Sequence, residues 1–220
     1  MDVRKRILSE ISKQILALQS NEVILVAIDG VDGAGKTFLA DELVAYLMVS
    51  DRPIIRSSVD GFHNPREIRY RLGKASPLGF FQDSYNYNEL IDNLLRPLSP
   101  GGDKKYRKAI FDHRTNLKVE VAEAIAAPGS ILIFDGIFLH RPELRDYWDF
   151  SIFLEVDFTI SIPRVAQRGE GSPDPKAETN KRYIEGQKLY LSQCHPQKFA
   201  SIVVNNNDLN QPYFVNLDGG

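Results

Sequence analysis

Apolar positions along the chain follow two rhythms, one helical and one continuous, and their alternation sets the expected fold. Ile7, Leu8, Ile11, Ile15 and Leu18 lie near one stripe of a helix over residues 3–18, with Arg4, Lys5, Glu10, Lys13 and Gln14 largely elsewhere. The Ser20-Asn21 turn then feeds the unbroken run Val23-Ile24-Leu25-Val26-Ala27-Ile28, which ends at Asp29 and reads as a strand. Helical spacing returns over residues 37–47 and stops at Asp51-Arg52-Pro53, after which residues 54–59 form a second strand. A strand, a helix and a strand in that order predict a right-handed crossover and a parallel sheet.

Residues 64–87 break the rhythm with arginines, aromatics, glycines and prolines, which predicts loops and short helices on the substrate side. A helix is expected over 88–96, ending before Pro97, and a short edge strand or hairpin over 104–114. The spacing over 117–127 predicts another helix, up to Pro128-Gly129. The run Ile131-Leu132-Ile133-Phe134 ending in Asp135 suits a central buried strand. Further strands are expected at 148–156 and 201–205, with a helix over 178–192 between them. Five strands with intervening helices predict an α/β protein, a three-layer α/β/α fold around a five-stranded, mainly parallel sheet. One domain over residues 1–220 is expected, with an amphipathic helix at 1–20, a substrate-side insertion at 60–115 and a lid at 164–180.

Composition narrows the function classes. A net charge of −2 leaves no basic footprint for nucleic acid, although a small anionic substrate fits. Cys194 is the single cysteine, so an internal disulfide and a multi-cysteine metal site are excluded and a reducing, cytoplasmic setting is expected. The four histidines are scattered without zinc spacing. No apolar run approaches a membrane span, and Arg4-Lys5-Arg6 is followed by Glu10 and Lys13, which does not make a signal peptide. Glu10 and the lack of bulky aromatics favour packing of the first helix on the sheet or on a partner over a membrane surface, and homo-oligomerisation stays open.

The candidate chemistry centres on Gly30-Val31-Asp32-Gly33-Ala34-Gly35-Lys36-Thr37, which fits G-x-x-x-x-G-K-[ST] between a strand and a helix. In such a loop the backbone of Gly30, Asp32, Gly33, Ala34 and Gly35 turns N–H groups toward phosphate oxygens. Lys36 reaches the β- and γ-phosphates, and the Thr37 hydroxyl ligates Mg²⁺. ATP and Mg²⁺ are therefore the expected cofactors of a P-loop NTPase fold. Asp60 ends the strand after the loop helix, where ligands gather in parallel sheets, and reads either as a catalytic base or as a turn aspartate beside Gly61. Asp135 reads as a metal or water ligand, or as a strand-end turn. Arg164 and Arg168, four residues apart on an expected helix face, could meet phosphate from beside the Gly- and Pro-rich segment 169–175, or be a solvated face. His63, His113 and Arg114 are candidate substrate contacts, as are Tyr106 through ring stacking and Asp83 through a substrate hydroxyl.

The stretches 28–37, Asp60-Gly61-Phe62-His63, Phe134-Asp135-Gly136-Ile137-Phe138 and Arg164-Val165-Ala166-Gln167-Arg168 together resemble the uridine kinase, pantothenate kinase and phosphoribulokinase family of P-loop kinases, over about residues 22–208. The resemblance implies a general base at Asp60, an acid assisting Mg²⁺ at Asp135, lid arginines at Arg164 and Arg168, and Asn207 near the adenine. The chain departs from uridine kinases in His63, where a phenol is usual, and in Asp135, where glutamate is usual. Asp-Gly-Phe looks closer to pantothenate kinases, and Phe111-Asp112-His113-Arg114 is similar to uridine-kinase elements in altered spacing. A GTPase Asn-Lys-x-Asp element is absent, since Asn180-Lys181 is followed by Arg182-Tyr183. The expected activity is phosphoryl transfer from ATP to an alcohol, most readily a nucleoside such as uridine or cytidine. Pantothenate, a sugar or nicotinamide riboside are the alternative acceptors. A nucleotide-dependent switch or ATPase docking through helix 3–18 is the rival class.

Overall fold

The computed structural model describes residues 2–18 and 20–216. Helix α1 (Val3–Ala17) starts at Asp2, whose carboxylate accepts from the Arg4 N–H at 3.1 Å, and buries Ile7, Leu8, Ile11 and Ile15. That stripe packs on α2 (Lys36–Leu47), and Arg4 forms a two-pronged ion pair with Glu42 of α2. The apolar face is thus covered by the chain itself.

Strand β1 (Ile24–Gly30) is buried at every position. Its side chains alternate: Leu25 and Ala27 join one core, while Ile24, Val26 and Ile28 join another on the opposite face of the sheet. Strand β2 (Ile54–Ser58) follows α2 and runs into a 3₁₀ turn over Val59–Phe62. The insertion then carries the short helices α3 (Arg66–Arg69) and α4 (Pro77–Asp83). Next, α5 (Tyr87–Leu90) continues through a π-helical turn (Ile91–Leu95) into α6 (Arg96–Leu98). This helix passes through Pro97 rather than ending before it. Proline has no N–H for the carbonyl one turn back, and the Asn93 carbonyl instead accepts from the Arg107 N–H at 2.9 Å.

Residues 117–127 are not helical. Strand β3 (Lys105–Tyr106) pairs with β6 (Ala124–Ile125), and β4 (Phe111–Asp112) pairs with β5 (Leu117–Lys118), both antiparallel. The N–H groups of Val119 and Ala126 bond to the carbonyls of Ile110 and Lys104, across the insertion instead of one turn back. Leu117 and Ile125 lie at the surface, so a helical stripe here would have found no core to cover.

Strand β7 (Ile131–Asp135), a 3₁₀ turn (Arg145–Tyr147), β8 (Phe150–Glu155), α7 (Phe158–Ala166), α8 (Glu178–Cys194), α9 (Pro196–Phe199), β9 (Ile202–Asn205) and β10 (Tyr213–Phe214) follow in that order. The sheet order is β10-β9-β8-β1-β7-β2. The five expected strands are mutually parallel, and β10 adds an antiparallel edge. Asp135 pairs in register with Ile28 of β1 and Ser58 of β2, so the carboxyl ends of three neighbouring strands meet at one place. Among the described residues no helix is long and apolar enough to cross a membrane.

Candidate active site

The phosphate loop is held from several sides. Gly33 has φ +74°, and a Cβ there would stand 2.2 Å from the Ser161 carbonyl oxygen, so only glycine lets α7 approach this closely. Gly35, at φ +91°, opens α2 with no side-chain cap, which leaves the first N–H groups of that helix available to an anion. One peptide unit is pinned at both ends: Lys36 Nζ donates to the Val31 carbonyl at 2.8 Å, and the Asp32 N–H donates to Gln187 Oε1 of α8 at 2.5 Å. Asn206 Nδ2 donates to the Ala34 carbonyl at 2.7 Å from the end of β9.

Thr37 Oγ1 donates to Asp135 Oδ2 at 2.7 Å, while Arg56 Nη1 donates to Asp135 Oδ1 at 2.7 Å. A hydroxyl and a buried carboxylate brought together beside the loop fit a Mg²⁺ that retains waters and phosphate oxygens, because Mg²⁺ asks for only one or two protein carboxylates. The described residues contain no cluster of three His, Cys, Asp or Glu suited to an all-protein metal cage.

Gly33, Lys36, Thr37 and Asp135 line a cavity of about 560 Å³, which also receives Asp32, Asp60, His63, Tyr85, His113 and Arg168. Asp60 is exposed in the turn after β2, where its N–H meets Ser58 Oγ and its carbonyl meets His63 Nδ1 at 3.0 Å. Its carboxylate has no hydrogen-bond partner among the described residues, unlike a capping or turn carboxylate. Burial pushes the Asp32 carboxyl above the ordinary carboxylate value; Lys36 opposes this and Asp60 adds to it. The far wall is aromatic. His63 stacks on His113 with ring centroids 4.5 Å apart and lies 4.5 Å from the Tyr85 ring, and burial pushes its pKa down.

Other expected site residues stand elsewhere. Arg164 and Arg168 do not share a helix face, because α7 stops at Ala166. Arg168 reaches the cavity, whereas the Arg164 guanidinium donates to the carbonyls of Asn206 at 3.1 Å and Asn207 at 2.6 Å. The Asn207 side chain is tied to Asp157, accepting from its N–H at 2.9 Å and donating to its carboxylate at 3.1 Å. Asp83 is buried and takes both prongs of Arg71, at 2.9 and 2.7 Å, outside the cavity. Tyr106 packs into the core, and Arg114 lies exposed at the β4–β5 turn.

Helix α8 supplies what the sequence reading missed. Asn180 Nδ2 holds the carbonyls of Ser172 at 2.7 Å and Asp174 at 2.8 Å, and Arg182 holds those of Arg69, Gly73 and Lys74. Further along, Tyr190 donates to the buried Asp29 carboxylate, which also binds His140 Nδ1 at 2.7 Å, and His140 Nε2 lies 3.0 Å from Ser151 Oγ. One helix therefore braces the 171–174 segment, the wall at 69–74 and the N-terminal side of the phosphate loop, at Asp29 and Asp32. Local pattern offers no signal for this, since each partner is distant in sequence.

The Phosphoribulokinase / Uridine kinase family model matches residues 25–172. The uridine kinase of Bacillus mycoides (strain KBAB4) is 25% identical over 195 residues, covering 84% of this chain and 86% of that protein. The uridine kinase of Ligilactobacillus salivarius (strain UCC118) is 26% identical over 159 residues, 70% of each. Among solved structures, one described as a possible uridine kinase from Bacillus stearothermophilus superposes with a TM-score of 0.72 at 22% identity, over 90% of this chain and 97% of that one. With the phosphate loop, the Thr37–Asp135 pair and the cavity of Asp60 at the carboxyl ends of β1, β7 and β2, the chain belongs to the phosphoribulokinase / uridine kinase family and is an ATP-dependent small-molecule kinase.

Proposed function

We propose that this kinase moves the γ-phosphoryl group of ATP to a hydroxyl of a nucleoside such as uridine or cytidine, with Asp60 as the general base. The observation that carries the reading is the unpaired Asp60 carboxylate, which shares a cavity with Lys36 on one side and the His63–His113–Tyr85 wall on the other. Phosphoryl transfer asks the protein mainly to position two oxygens and neutralise charge. Lys36 and Arg168 supply cationic groups, the N–H groups at the start of α2 supply donors, and the stacked rings offer a flat apolar surface for a base. Thr37 and Asp135 would hold Mg²⁺, which neutralises charge on the phosphate oxygens. Segment 60–115 serves as the acceptor side and 164–180 as the lid, and the use of ATP supports a cytoplasmic location.

An acceptor panel tests the reading: uridine, cytidine, pantothenate, a set of sugars and nicotinamide riboside, each with ATP·Mg²⁺ and coupled ADP detection. Stoichiometric ADP release with uridine or cytidine is expected. Release only with another member of the panel would overturn the nucleoside assignment and retain the kinase.

A further inference from the structure

Among the described residues four carboxylates line the cavity: the general-base role takes Asp60, the Mg²⁺ role takes Asp135, Glu170 belongs to the 164–180 segment, and Asp32 stands inside the phosphate loop without a role. Its backbone is fixed by the Gln187 bond to its N–H and by the Lys36 bond to the preceding carbonyl, so the residue cannot swing out with loop motion alone. No side chain or backbone N–H among the described residues donates to its carboxylate. Asp32 lines the same cavity as Asp60, Tyr85 and Tyr183, with Lys36 and Arg168 as the cations.

A bare carboxylate there is costly, because bound ATP adds negative charge to the same loop. A hydroxyl donor would relieve that cost. Asp83, the carboxylate expected to receive a substrate hydroxyl, is occupied by Arg71 and lies outside the cavity. We infer that Asp32 is an acceptor-binding residue, taking a hydrogen bond from a second hydroxyl next to the one that Asp60 deprotonates. The acceptor is then a diol, such as the ribose of a nucleoside or a sugar ring. This rests on the kinase reading, and it assigns to the Asp32 side chain a role in choosing the acceptor that the loop backbone does not have.

The experiment compares kcat/KM for uridine, 2′-deoxyuridine and 3′-deoxyuridine, or for a sugar and its monodeoxy forms if the panel returns a sugar. The wild-type protein should disfavour one monodeoxy analogue by about 10²-fold, since a site built to bond a hydroxyl rejects the analogue that lacks it. Asp32→Ala should bring that ratio to within about threefold, with Asp32→Asn between the two. A purely structural role, or a contact to phosphate, would lower both substrates together and leave the ratio intact. A wild-type protein that accepts every monodeoxy analogue within about threefold would overturn the proposal without any variant and leave the kinase standing. Absence of ADP release with every acceptor would overturn both.

Discussion

Replacing Asp60 by asparagine separates the chemistry at this position from its structural part. Asparagine keeps the shape of the side chain and removes the basic oxygen. The local structure around residue 60 is made by its backbone: the N–H meets Ser58 Oγ and the carbonyl holds His63 Nδ1 at 3.0 Å, and both survive the change. The side chain is exposed and unpaired, so the stability change should stay within about 0.5 kcal/mol, or about 2 °C in Tm for a chain of this size. Loss of a positioned base lowers kcat by roughly 10²–10⁴-fold, or about 2.7–5.4 kcal/mol of barrier. ATP affinity should hold, because the phosphates meet residues 30–37. Coupled ADP release gives kcat, calorimetric titration gives ATP affinity, and thermal melting gives Tm on the same preparation. A folded variant whose kcat stays within about tenfold of wild type would refute the base assignment.

Lys36→Ala should lower turnover by more than about 10²-fold while the protein still melts cooperatively, since the lysine supplies charge to the phosphates and holds only the Val31 carbonyl; turnover within tenfold would contradict this. The two arginines should part company. Arg168→Ala removes a cation that faces the cavity and should reduce kcat more than ATP affinity, whereas Arg164→Ala frees the carbonyls of Asn206 and Asn207 and should act on Tm and ATP KM; equal losses of kcat would show that both meet the phosphoryl group. Tyr190→Phe leaves the buried Asp29 carboxylate short of a donor, which costs about 1–3 kcal/mol and lowers Tm by about 2–10 °C; an unchanged Tm would mean that the network does not brace the loop.

The phosphate loop was legible because its chemistry is contiguous: glycines, lysine and threonine act within one turn of chain, and their spacing alone fixes which backbone N–H groups converge. The parallel sheet was legible too, from unbroken apolar runs that no exposed strand could carry. Asp60 and Asp135 were placed beside the loop by a rule about strand ends, and the register of Ser58 with Asp135 brings both to one cavity. Arg164 and Arg168 show where local spacing stops being informative. Four residues place two side chains on one face only while the helix lasts, and α7 ends between them.

Tertiary structure alone decided the rest. Residues 117–127 carry apolar residues at helical intervals, yet a helix is stable only where a core receives its stripe, and here the N–H groups were taken by chain folded alongside. Asp83 had the chemistry of a substrate ligand until Arg71 came within bonding distance of both its oxygens. Gln187, Tyr190 and His140 had no local signature, because a hydrogen bond between distant residues exists only once packing brings them within about 3 Å. Sequence thus determined the strands of the parallel sheet and the phosphate-loop motif, through interactions closed within a few residues. Which carboxylates and arginines line the cavity was decided by contacts between elements, which spacing along the chain does not encode.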